Sequence, residues 1–309
     1  MKTWLKRLLA FAITLGLLGW VLSGARWQDV ASSLARVSAF DFSLALAAFV
    51  LSYLLRAARV HDEFVADTGA RFAAILRLTL LHNASINILP FRSGEATFPL
   101  LLNRWFGVPT TRAIVALLWL RIQDAFVVLA LAAFVWPDLP FLLRVLWIAA
   151  VIAAAWAIPA WASRHPEIEA RSGRFVQTVH RVREALAEST RRSLRGWLWT
   201  LANWSVKLFA QAWLLGALLQ TSLATGLSGA LGVELAAILP IQGVAGFGTY
   251  EAGGAALLSA HGIPFAGGLN AALALHLFVI ASALAAGGLA LAFLPAAQPD
   301  SKSETPHHE

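Results

Sequence analysis

Apolar runs long enough to cross a bilayer recur along the whole 309-residue chain, and two of them are broken by proline and glycine. A hydrocarbon core takes about 20 helical residues. Inside it every backbone polar group must be satisfied within the protein, which restricts such runs to helices. They are long and continuous rather than short and alternating, which argues against a transmembrane β-barrel. With 59% apolar and 13% charged residues and a mean hydropathy of +0.68, the expected fold is an all-α polytopic membrane protein. One transmembrane domain is expected over 1–295, followed by a disordered cytoplasmic tail over 296–309. Full spans are expected at 5–23, 42–58, 113–135, 141–162, 197–219 and 266–294.

The stretches 73–106 and 227–262 are different. The first is interrupted at Pro90 and Gly94, the second at Pro240, Gly243, Gly246 and Gly248. Neither part of either stretch is comfortably long enough to span alone, so each is expected to enter, break and turn back. Basic residues orient the chain. Lys2, Lys6 and Arg7 precede the first run, Arg56, Arg59, Arg71 and Arg77 follow the second, and eight arginines against four glutamates lie from Arg164 to Arg195. All three clusters fall on the cytoplasmic side if 73–106 returns to the face it entered from. Both termini are then cytoplasmic, in a cell (inner) membrane, and the second broken stretch enters from the opposite face. "NILP" at 87–90 and "AILP" at 237–240 each lead through glycine to a lone glutamate, Glu95 and Glu251. Similar elements of opposite insertion are what an inverted repeat produces, with a substrate site between broken helices near the midplane.

The net charge of +7 is concentrated in short connections between apolar runs. It reads as topology and attraction to anionic headgroups, not as a nucleic-acid surface. The chain has no cysteine, which removes disulfides, thiolate metal sites and cysteine nucleophiles, and no cofactor or metal is expected. In 164–195, Phe175, Val176, Val179, Val182 and Leu186 recur at helical spacing, as in an amphipathic helix on the inner leaflet or a solvated linker.

An ionisable side chain at membrane depth costs at least ~2.5 to 3.5 kcal/mol on insertion scales, so it is paired, hydrated or used. Arg92, Glu95, Arg121, Asp124 and Glu251 are such residues, with His276 beside them. Arg121 and Asp124 stand three apart on one helical face and can pair with each other or reach Glu95 and Arg92. One reading makes these charges a structural ionic knot between helices. The other makes Arg92 or Arg121 a phosphate clasp, since a guanidinium fork matches phosphate oxygens in pairs, with glycines letting a headgroup approach the backbone. Asn87 is expected to bond locally near the break at Pro90.

At these residues the sequence resembles the lysylphosphatidylglycerol synthase transmembrane-region family, a flippase-like integral membrane domain. The likeness is carried by Asn87, Leu89, Pro90, Arg92, Gly94 and Glu95, by Arg121 and Asp124, and by Gly246, Gly248, Glu251 and Ala252. Departures stand at Thr97, Phe98 and His276, where the family often has arginine at or near the position. Without a soluble aminoacyl-transferase domain, the resemblance implies the lipid-translocating half and no synthase activity. The expected substrate is an anionic phospholipid or a polyprenyl-phosphate-linked lipid, moved between leaflets. Its binding residues would be Arg92, Glu95, Arg121, Asp124, Glu251, Asn87, Gly94, Gly246, Gly248 and His276, and a homo-oligomer or partner enzyme would fit. The alternatives are an intramembrane enzyme using the same carboxylates as acid and base, and an accessory subunit of an envelope lipid or glycan assembly complex.

Overall fold

The computed structural model describes residues 27–69, 71–134, 139–163, 174–190, 193–238 and 244–295. The expected span at 5–23, the tail 296–309 and the break residues Pro240 and Gly243 lie outside them. Among the described residues the secondary structure is helical: α1 Trp27–Arg36, α2 Ala39–Thr68, α3 Phe72–Ile88, a 3-10 segment Pro90–Ala96, and α4 Thr97–Phe106. Then come α5 Thr110–Ala132, α6 Phe141–Ser163, α7 Arg174–Thr190, α8 Ser193–Leu219, α9 Leu223–Ile238, a 3-10 turn Val244–Gly246, α10 Thr249–Ser259 and α11 Phe265–Phe293.

Four described helices (α2, α5, α6 and α11) are long and apolar enough to cross a membrane, and α8 with α9 makes a fifth candidate across a 117° bend. Of the six expected full spans, 5–23 lies outside the described residues, and the other five correspond to these four helices and to α8, which counts only as a bent pair with α9. Asn203, Lys207 and Gln211 interrupt the apolar residues of the run over 197–219. The second broken stretch begins at Leu223 rather than 227.

Four hydrogen bonds tie the two ends of the bundle. Asp41, at the start of α2, accepts from the Trp213 indole near the end of α8 at 3.1 Å. At the other end, Arg112 at the start of α5 donates to Glu63 near the end of α2 and to Ser189 at the end of α7, at 2.6 Å each. There too Arg77, early in α3, donates to the Leu294 carbonyl after α11 at 2.7 Å.

Both broken elements return to the end they entered from. Arg71 lies over the Phe106 ring at 5.3 Å and Arg77 over Trp105 at 5.7 Å, so the two ends of 71–106 meet. Ser228 of α9 and His261 just after α10 are hydrogen-bonded at 2.7 Å, which closes the second element at the opposite end of the bundle. Each has a long arm and a short arm, of 17 and 10 residues in the first and 16 and 11 in the second.

Small residues let the arms approach. A Cβ on Gly94 would collide with the Ser85 carbonyl, so the first break lies directly on the end of α3. A Cβ on Gly253 would stand 2.5 Å from both the Gly232 oxygen and the Ala236 Cβ. Bilayers add no hydrophobic drive between helices, so close backbone packing of this kind is what holds such a hairpin shut. The largest core unites α2, α8, α9 and α11 around Phe49, Leu214, Leu215, Leu231 and Phe278. A second core joins α2, α3, α4 and α5 around Phe64, Ile75, Leu78, Phe98 and Leu102. The amphipathic α7 is tied down at its end, where Leu186 and Ala187 pack against Trp119 of α5.

Candidate functional site

The two breaks touch each other in the middle of the bundle. Between them and α2, α5, α8, α9 and α11 lies a cavity of about 250 Å³. Its charged wall is built from helix midpoints: Arg56 on α2, Arg121 and Asp124 on α5, Lys207 on α8, Glu234 on α9, with Glu95 from the first break. Bilayer-depth charges clustered around one hollow between discontinuous helices are the usual layout of a transporter site.

Asp124 is the centre of one group. Its Oδ1 accepts from Arg59 Nη1 at 2.6 Å and from the Trp204 indole at 2.9 Å, while Arg121 Nη1 stands 3.6 Å from Oδ2. Arg59, only 4% exposed, also donates to the Leu120 carbonyl and the Gln123 amide oxygen, which binds α2 firmly to α5. Arg121 reaches the other way, to Glu95 at 2.9 Å. Exposure separates the two pairs. The Arg121 side chain is 34% exposed and that of Glu95 26%, so this pair is open to the cavity, while Asp124 only borders it and Arg59 is sealed behind.

A second group lies on α8, α9 and α10. Lys207 Nζ and the Gln211 amide both bind Glu234 Oε1, at 2.6 and 2.7 Å, and Gln211 also donates to the Tyr250 hydroxyl at 3.3 Å. The Lys207 ammonium sits 4.6 Å from the centre of the Trp204 ring, so the indole links the two groups. The Tyr250 ring stacks on His276 at 4.2 Å.

Of the expected binding residues, Glu95, Arg121, Asp124, Asn87, Gly246 and His276 line the cavity together. Asn87 also turns back to donate to the Asn83 carbonyl at 2.8 Å, the local bond expected of it. Three others sit behind the wall. Glu251 is fully buried, accepting the Gly248 N–H at 2.7 Å and holding His276 Nδ1 at 2.6 Å. Gly248 begins α10 with φ +89° and Gly94 is packed against α3. The side chain of Arg92 lies outside what the structure describes. Asp124, expected to pair with Arg121 or reach Arg92, is held by Arg59.

Sequence reasoning missed Arg56, Arg59, Lys207, Glu234, Trp204 and Tyr250. The two arginines read from the sequence as the basic close of the second span, but α2 continues to Thr68, and both are interior. Lys207 and Glu234 carried a usable signal, since each is a charge inside an apolar run, the same criterion that selected Arg121. Among the described residues no group of three or more His, Asp or Glu side chains is placed to hold a metal ion.

Fold and site together define a helical membrane protein with a charged, partly open chamber at the junction of two re-entrant hairpins. The family described as lysylphosphatidylglycerol synthase TM region matches residues 7–287, and the chain belongs to it. Among curated proteins, none matches the chain.

Proposed function

We propose that this protein carries an anionic, phosphate-bearing lipid between the leaflets of the cell (inner) membrane, with the headgroup passing through the central chamber. The observation that supports this most is the Arg121–Glu95 pair, held at bundle depth yet open to the cavity. Keeping charges at this depth is costly, and a merely structural pair gains nothing from access to solvent. A phosphate entering the chamber competes with Glu95 for a guanidinium whose fork suits it better than a single carboxylate contact. Release of Glu95 frees the first break, and the two breaks touch, so headgroup binding and backbone rearrangement are joined in one place. Lys2, Lys6, Arg7 and the arginines of 164–195 favour cytoplasmic termini.

The test is leaflet exchange of fluorescent phospholipids in liposomes containing the purified protein. Wild type is expected to equilibrate the leaflets, and Arg121→Gln to slow exchange about tenfold or more, because hydrogen bonds to charged groups contribute ~1.5–3 kcal/mol. Equal rates for the two proteins would overturn the proposal. Recovery of covalently altered lipid from the same liposomes would replace it with an intramembrane enzyme.

A further inference from the structure

One buried side chain beside the chamber lacks what its polarity requires. His82 on α3 is 4% exposed, and among the described residues neither of its ring nitrogens meets a partner in hydrogen-bonding geometry. Its ring rests on Phe98, with 5.2 Å between centroids, and the Gly94 backbone lies beside it outside that geometry. Polar groups left bare in a protein interior are rare and call for an explanation. Glu95 supplies one, because its Oε2 stands 3.6 Å from His82 Nε2. This carboxylate thus lies between two partners. On the cavity side Arg121 Nη2 reaches its two oxygens at 2.9 and 3.1 Å, and on the α3 side a shift of less than ~1 Å would bring Oε2 into hydrogen-bonding range of the imidazole.

Charge decides when Glu95 changes sides. Among the described residues the lining is balanced, Arg56, Arg121 and Lys207 against Glu95, Asp124 and Glu234, so a headgroup phosphate brings a negative charge that the wall does not offset. Once Arg121 turns to that phosphate, Glu95 has lost its cation at a depth where an unpaired charge is costly. The other two lining carboxylates keep theirs, Asp124 through Arg59 and Glu234 through Lys207. Building on the transport reading above, we infer that His82 is the second seat of Glu95, and that each phosphate headgroup enters the chamber together with one proton. The proton comes from solvent and joins Glu95 as Arg121 is taken. The neutral carboxyl then donates it in a hydrogen bond to His82 Nε2, bare in the tautomer protonated at Nδ1. When the phosphate leaves, Arg121 recaptures the carboxylate and the proton returns to solvent. The charged groups facing His82 are Glu95 from the break, Arg121 from α5 and Arg56 from α2. With two guanidiniums already facing the ring, the added proton belongs on the carboxyl and not on the imidazole. His82 acts through Glu95, which makes it a positioning residue.

The experiment follows a fluorescent phosphatidylglycerol analogue in phosphatidylcholine liposomes holding the intact protein. Exchange is expected to quicken as the pH is lowered on both sides. An acid-inside gradient is expected to drive the analogue to the outer leaflet, which faces the alkaline side, beyond its drift in protein-free liposomes. His82→Leu should slow exchange roughly tenfold, the worth of one buried hydrogen bond, and flatten its response to pH. His82→Gln, whose amide oxygen can accept from a carboxyl, should restore most of both. Glu95→Gln, with no carboxyl to protonate, should respond to neither pH nor gradient, and it decides the matter if His82→Leu does not fold. Wild-type exchange indifferent to pH and gradient overturns the inference and leaves the transport reading intact. So does an acid response in Glu95→Gln, a wild-type rate and pH response in His82→Leu, or a folded His82→Gln protein as slow as His82→Leu. Absence of exchange at every pH overturns both.

Discussion

The two re-entrant hairpins look alike in sequence and have opposite interiors. In the first, Glu95 faces the chamber, partly exposed and bound to Arg121. In the second, Glu251 is fully buried, and its carboxylate closes the start of α10 by accepting the Gly248 N–H while gripping His276. The same short pattern, Leu-Pro leading through glycine to glutamate, thus provides a cavity-facing charge on one side and a buried clasp on the other. What differs is the neighbour. Glu95 meets Arg121 beside the cavity, and Glu251 lies behind His276, a buried ring at the cavity wall covered by Tyr250 and Phe247.

Breaking the clasp should have the largest effect. Glu251→Ala leaves both His276 and the Gly248 N–H buried without their partner, and each buried polar group left unsatisfied costs about 1–3 kcal/mol. The expected result is a sharply lower unfolding midpoint of the detergent-solubilised protein, with transport lost along with the fold. A wild-type midpoint would mean that the two glutamates are equivalent after all.

Overpacking the hairpins comes next. Gly253→Ala puts a methyl against the Gly232 oxygen and the Ala236 Cβ, and Gly94→Ala puts one against the Ser85 carbonyl. Overfilling a close-packed contact costs about 1–3 kcal/mol. Gly253→Ala is expected to lower the midpoint alone, whereas Gly94→Ala, beside the chamber, should also slow lipid exchange. Identical behaviour of the two would erase the distinction between a structural and a working hairpin.

Gly248→Ala forces a side chain into a positive-φ conformation at +89°, a strain of about 1–3 kcal/mol. The loss should be visible as a modest drop in the same midpoint, with near-normal exchange in whatever fraction stays folded. The smallest stability change is expected from Glu95→Gln, within about 1 kcal/mol because the pair is partly exposed. Its exchange rate should nevertheless change, as Arg121 is no longer held by a carboxylate. A variant that exchanges lipid at the wild-type rate would deprive the first hairpin of its proposed role.

How far the site could be read in advance depended on where each helix was thought to end. Arg121, Asp124 and Glu95 stood out because nothing but apolar residues or a helix break surrounds them. Arg56 and Arg59 give no such signal: "LLRAARV" reads as the basic close of a span, and only the partners on other helices, Asn83 and Asp124, show that both side chains turn inward. Glu251 was legible as a costly charge but not as a clasp, since a lone glutamate after a glycine-rich break gives no sign of whether the space beside it is open.

The amino-acid sequence alone determined that this chain is a bundle of membrane helices with two interrupted elements. That follows from length and polarity, because a bilayer tolerates no unsatisfied backbone and few unpaired charges. Only the tertiary structure decided which charges meet, which are sealed, and which border the cavity. Pairing and water access are properties of distances between helices far apart in the chain, and no local pattern encodes them.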